Sequence, residues 1–163
     1  MIDKNNFTIR NATKKDVPII LGFIRELAEY EKALHEAKAT KKQLENTLFG
    51  KKKYAECVIG YDGKKPVGFA LFFHNYSTWL GKPGLYLEDL YVTPDCRGKG
   101  YGKALLMHLA KIAKKRGCGR FEWACLDWNT PSIEFYKKLG AKPMTEWTVY
   151  RVTGDNLKKL ANV

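Results

Sequence analysis

Three glycines and three cations share ten positions in Asp95–Ala104, DCRGKGYGKA, directly ahead of an apolar periodic run. Gly98, Gly100 and Gly102 let the backbone approach a ligand closely and take positive φ, and the helix start that follows offers N–H groups and a dipole favourable to anions. Such a turn suits phosphate. Spacing excludes two common phosphate loops. The nucleoside-triphosphatase pattern G-x-x-x-x-G-K-[ST] would need glycine where Lys103 stands, and the dinucleotide fingerprint G-x-G-x-x-G fails because these glycines are spaced two and two.

A second group lies just upstream. Leu85–Val92, LYLEDLYV, is apolar on both alternating faces except for Glu88 and Asp89, so it reads as a central strand carrying carboxylates. Adjacent strand residues point to opposite faces unless a bulge intervenes, so only one acid should face a given cleft. Tyr136 is a third candidate, but Ile133, Phe135 and Leu139 around it also make an ordinary apolar helix face. Cys57, Cys96, Cys118 and Cys125 form no C-x-x-C pair and share no ligand spacing with His35, His74 or His108, so reduced thiols and no metal are expected. Cys96 sits beside Arg97 without an oriented base and is given no role.

The surrounding pattern must position these groups. Phe7–Arg10 is β-prone. Thr13-Lys-Lys-Asp16 has capping-box spacing before a helix whose stripe is Val17, Ile20, Leu21, Ile24, Leu27 and Ala28, ending near Tyr30. Thr40-Lys-Lys-Gln43 opens a shorter helix that Gly50 is expected to close in left-handed conformation. Tyr54–Tyr61 and Lys65–His74 are strands joined by a tight hairpin at Asp62-Gly63. The glycine turn leads to a helix with Leu105, Leu109 and Ile112 on one stripe and Gly117 beyond its end, then to a strand over Arg120–Leu126. Asn129 or Thr130 caps a further helix, Trp147–Val152 reads as a last strand, and there is room for a short helix from about Asp155. The order β-α-α-β-β-β-α-β-α-β is an α/β layout with an antiparallel beginning and a βαβ-like middle.

Composition sets the outer bounds. With 163 residues, 45% hydrophobic and 28% charged, the chain fits one globular domain spanning 1–163. No apolar run approaches membrane-spanning length and the N-terminus lacks a signal-peptide core, so a soluble, cytoplasmic protein is expected. The formal charge of +12, concentrated in Lys51–Lys53, Lys64–Lys65 and Lys111–Arg116, serves solubility or a polyanionic partner.

Arg97-Gly-Lys-Gly100-Tyr-Gly102 matches the R/Q-x-x-G-x-G/A motif of the GNAT N-acetyltransferases, directly after a strand and before a helix, and the layout resembles that fold across nearly the whole chain. LYLEDLYV, RGKGYG and WNTPSIEFYKKLGA together resemble the diamine branch, which includes the spermidine/spermine and thialysine acetyltransferases, and Tyr30-Glu31 and YSTWLGK extend the likeness. The resemblance implies a mixed, mostly antiparallel sheet flanked by helices, with acetyl-coenzyme A as cosubstrate. It assigns the coenzyme pyrophosphate to Arg97, Gly98, Lys99, Gly100, Tyr101 and Gly102. Further coenzyme contacts fall to main-chain groups of Leu90 and Val92 and to Asn129, Ser132 and Tyr136.

An alkylamine is mostly protonated at neutral pH and attacks a thioester only after losing a proton, so the reaction needs a base, for which Glu88 and Asp89 are candidates. The resemblance favours Glu88 acting through water, makes Tyr136 the acid that protonates the leaving thiolate, and implies direct transfer in a ternary complex. It brings Tyr30, Glu31, Trp79, Glu88 and Asp89 to the acceptor groove and implies a homodimer. One position departs: the polyamine enzymes carry aspartate where this chain has Ser77. A chain of charge +12 also repels a polycation at range, which favours a small diamine-like or amino-acid amine such as thialysine, lysine or ornithine. Acetylation of a protein lysine or N-terminus is a second enzymatic reading, and a basic RNA-associated domain of the same shape is a reading of another class.

Overall fold

The computed structural model describes residues 6–162 and divides into two compact units, Met1–Ala124 and Cys125–Val163. The first unit opens with β1 (Phe7–Asn11), then α1 (Val17–Tyr30) and α2 (Lys41–Phe49), followed by β2 (Glu56–Asp62), β3 (Lys65–Ser77) and β4 (Lys82–Val92). It closes with α3 (Tyr101–Lys115) and β5 (Arg120–Trp123). The strands form one sheet in the order β1-β2-β3-β4-β5, antiparallel throughout except for the parallel β4–β5 pair. This is the mixed, mostly antiparallel α/β sheet expected.

The hairpin between β2 and β3 turns through Gly63 and Lys64, with Asp62 paired to Lys65. Only Gly63 of the two loop residues has positive φ (60°), the arrangement of a turn with glycine first. Gly50, by contrast, follows α2 in extended backbone (φ −75°, ψ −171°), so α2 ends without the left-handed cap expected.

The side of the sheet covered by α1 and α2 buries Val17, Ile20, Leu21 and Phe23 of α1 with Leu44 and Leu48 of α2 against Ile59, Phe69, Leu71 and Tyr91. Ile24 and Leu27 complete the stripe as partly buried residues. On the other side Leu105 and Leu109 of α3 are wholly buried.

The start of α1 is fixed by a buried carboxylate. Asp16 accepts both Arg10 Nη groups at 2.8 Å, the Thr13 N–H at 2.7 Å and the Thr13 hydroxyl at 2.9 Å, which delivers the expected box around a short 3-10 turn, Lys14–Asp16. The Arg10 guanidinium, aided by Thr13, holds the Asp16 carboxyl well below the usual carboxylate range.

The second unit contains α4 (Thr130–Lys138) and α5 (Gly154–Ala161), the latter at the place left for a C-terminal helix. Trp147–Val152 forms no strand; Val149 and Tyr150 are exposed. The alternation in that stretch is real, but a strand forms only where another satisfies its backbone, and the described residues of this unit supply none.

Asp16→Ala should lower stability by about 1–3 kcal/mol at pH 7, because it strips a charged pair, one backbone N–H bond and one hydroxyl bond from the start of α1. The folded carboxyl titrates below its unfolded value of about 4, so this contribution is complete above that pH and is lost as pH falls. Urea midpoints of the two proteins should therefore converge below about pH 4; a constant gap down to pH 2.5 would overturn the electrostatic account.

Candidate active site

The acidic pair sits on an irregularity in β4. Leu71 pairs with Asp89 and Phe72 with Leu87, so Glu88 is an extra residue without a partner, a β-bulge. Paired residues share a sheet face, which places Asp89 with Leu71 beneath α1 and α2, and Leu87 with Phe72 on the α3 side. Glu88 is exposed and Asp89 half-buried. Burial, then the charges of Glu88 and Glu31, pushes the Asp89 carboxyl up to about 6. Glu31 is itself pushed up by burial.

Glu31 is aimed from the end of α1. There Lys32 N–H bonds Glu29 O at 3.0 Å and Ala33 N–H bonds Ala28 O at 2.8 Å, a Schellman closure with Lys32 in the left-handed position (φ 59°) usually given to glycine. Tyr91, buried on β4, donates its hydroxyl to Glu26 Oε2 at 2.8 Å, so α1 is tied to the strand one turn earlier as well. Burial and that carboxylate raise the Tyr91 phenol to about 12.

β4 runs beside β5 only from Gly84 to Leu87, paired with Arg120 to Trp123. From Glu88 onward the edge of β4 turned away from β3 has no β5 residue opposite it. The parting of the strands and the bulged acids therefore coincide.

The glycine turn begins where β4 ends. Gly98 and Gly100 have φ of 77° and 84°, and the bond from Ala104 N–H to Gly100 O at 3.0 Å marks the entry to α3. Anchors hold the turn on both sides. Lys65 Nζ bonds Asp95 Oδ2 at 2.6 Å; the Tyr101 ring stacks on Phe7 (4.2 Å, 5°) and its hydroxyl donates to Asp62 Oδ2 at 2.7 Å. The Tyr101 side chain thus anchors the turn to β1 and β2. Arg97 Nε donates to Val92 O at 3.0 Å, which occupies that carbonyl from within the chain.

Residues 22–141 match the Acetyltransferase (GNAT) family. The chain belongs to this family and is an acetyl-transferring enzyme. The thialysine N-epsilon-acetyltransferase of Sus scrofa is 38% identical over 164 residues, covering 94% of this chain and 96% of the relative. The L-ornithine N5-acetyltransferase of Arabidopsis thaliana is 32% identical over 197 residues, covering 93% and 86%. Among solved structures, an integron cassette protein from the mobile metagenome of V. cholerae is similar with a TM-score of 0.82 and 28% identity, covering 97% of this chain and 99% of that one.

GNAT acetyltransferases use acetyl-coenzyme A, and this GNAT chain offers it a fitting bed. A pyrophosphate would meet a positive-φ backbone turn at the head of a 15-residue helix, flanked by the exposed cations Arg97 and Lys99, while the released edge of β4 has room for an extended amide chain. Among the described residues no cluster of His, Cys, Asp or Glu is arranged to hold a metal ion, and no helix is long and apolar enough to cross a membrane. Cys96 is buried.

The remaining expected site residues fall into two places. Asn129 caps α4, its Oδ1 accepting the Ser132 N–H at 3.4 Å, and Tyr136 lies on the same helix with its ring 5.3 Å from that of Phe135. Trp79 is in the β3–β4 turn, highly exposed, and seven strand steps (82 to 89), about 23 Å at strand rise, separate the end of that hairpin from Asp89. The GNAT chain therefore does not bring Trp79 to its own acidic pair. Ser77, at the same hairpin end, is buried and accepts the Leu80 N–H at 3.3 Å. Tyr91, which sequence alone does not single out, enters through its bond to Glu26, one of the carboxylates that give this basic chain acidic neighbourhoods, and that bond depends on how α1 packs on β4.

A carboxyl whose folded titration lies above its unfolded value stabilises the fold below about pH 4 and loses that contribution as pH rises through about 6. Asp89→Asn should therefore raise the melting temperature at pH 7.5, by a gain of up to about 2 kcal/mol, and the advantage should vanish near pH 4. A melting temperature lowered at both pH values would contradict the charge burial described.

Proposed function

We propose that the enzyme acetylates the terminal amine of a small amino acid or diamine of the thialysine, lysine, ornithine or short-polyamine type, acting as a homodimer. The observation that carries this reading is the half-buried Asp89, flanked by Glu88 and Glu31, at the point where β4 leaves β5. Three carboxylates in one neighbourhood favour a cation locally, although the chain as a whole carries +12. The names of the thialysine and ornithine relatives point to amino acids bearing a second amine.

Acetyl-coenzyme A, when bound, supplies the acetyl thioester. Residues Gly98–Gly102 and Arg97 would hold its pyrophosphate, with Lys99 adding charge, and main-chain groups of Leu90 and the Val92 N–H its amide arm, the Val92 carbonyl being taken by Arg97. Asp89, with proton affinity near 6, is matched to take a proton from the ammonium close to neutral pH, directly or through water. Glu88, exposed on the bulge, holds the cationic group or passes the proton through water, and Glu31 adds attraction from the end of α1. Tyr136 is the proton donor to the departing thiolate, with Asn129 and Ser132 on the coenzyme side.

Thiol release from acetyl-coenzyme A should be seen with thialysine, ornithine, lysine and short diamines, and weakly with spermine. Turnover confined to peptides or protein N-termini would overturn the small-amine reading. The kcat/KM profile should rise through a pH midpoint near 6, and Asp89→Asn should cut kcat/KM about 100-fold and remove that limb. Loss of the limb in Glu88→Gln instead would transfer the role of base to Glu88. Tyr136→Phe should lower kcat about tenfold or more while coenzyme affinity survives; unchanged kcat would remove it as the acid.

A further inference from the structure

Arg97 is held before any ligand arrives. Its Nε is committed to Val92 O at 3.0 Å, its guanidinium carbon lies 4.6 Å from the centre of the Tyr30 ring, and Tyr91 stands 5.6 Å away on the strand. Tyr91 is fixed in turn by its bond to Glu26. A guanidinium carries five N–H donors in a rigid plane; one is used on Val92 and another bears on the Tyr91 hydroxyl, while the Tyr30 face restricts the plane without consuming a donor.

Tyr30 therefore stands in an unexpected relation to the site. The next residue, Glu31, acts on Asp89, but the Tyr30 ring is turned to the residue that opens the glycine turn. The geometry assigns Tyr30 a positioning role on the coenzyme side: with Tyr91 it holds Arg97 in the orientation that meets the coenzyme pyrophosphate. A long flexible side chain that is ordered in advance loses little freedom on binding an anion, whereas an unsupported one must be ordered by the ligand. This inference rests on the reading of the glycine turn as the pyrophosphate site.

Calorimetric titration with coenzyme A, beside KM values for acetyl-coenzyme A and for ornithine, separates the possibilities. Tyr30→Leu should weaken coenzyme A binding about three- to tenfold and raise the KM for acetyl-coenzyme A alike, with the KM for ornithine changed less than about twofold. Tyr30→Phe keeps the ring face and should stay within about twofold of the parent for coenzyme A. In an Arg97→Gln background Tyr30→Leu should have no further effect on coenzyme A affinity, because the group it positions is gone. The proposal is overturned if Tyr30→Leu leaves coenzyme A affinity unchanged, if it raises the ornithine KM instead, or if its effect persists in Arg97→Gln. If the parent protein itself fails to bind coenzyme A, the pyrophosphate assignment falls first and this role with it.

Discussion

A single extra residue in β4 organises the first unit. Without Glu88 out of register, strict alternation would set Leu85, Leu87, Asp89 and Tyr91 on one face of the sheet. With it, Leu85 and Leu87 turn to the α3 side, while Asp89 and Tyr91 lie beneath α1. The slip thus serves both cores and drives a carboxylate into a place where burial raises its proton affinity. It also falls at the residue where β5 stops accompanying β4. Position, charge state and access of the acidic centre therefore share one local cause.

The glycine turn and the end of α1 depend on that arrangement. Tyr91 reaches Glu26 and Arg97 only because β4 presents it to α1, and Arg97 in turn spans from the turn to Tyr30. The glycine turn and the acidic centre are consequently tied together through the same few residues. Long-range charge works against this centre. Three acids, Asp16, Glu56 and Asp95, are each engaged by a cation elsewhere, at Arg10, Arg116 and Lys65, so the carboxylates around Asp89 stand out within a strongly basic chain. A small acceptor with its own negative group suffers less from the outer field than a polycation does.

Much of this was legible in the residues. Capping boxes at Thr13 and Thr40, the Gly63 hairpin, the amphipathic stripes of α1 and α3 and the cap at Asn129 all depend on neighbours within a few positions, and all form. The glycine turn was found for the same reason. What sequence could not supply was register. Alternation allowed for a bulge at Glu88-Asp89 without locating it, so the division of labour between the two acids stayed open, and the Tyr91–Glu26 bond spans 65 positions. Trp147–Val152 erred in the opposite direction, since its alternation is a local signal and a strand is a pairwise fact.

Ser77 illustrates how a turn can claim a side chain for itself. Its hydroxyl closes the β3–β4 turn on the Leu80 amide from a buried position at the hairpin end distant from Asp89. Aspartate is a good acceptor for an amide two or three residues on, so a carboxylate placed there would be drawn into the same local bond and hidden from solvent. A free carboxylate is therefore not gained at this position by one substitution. It would require the hairpin to be remodelled first, so that the turn no longer needs the side chain at position 77.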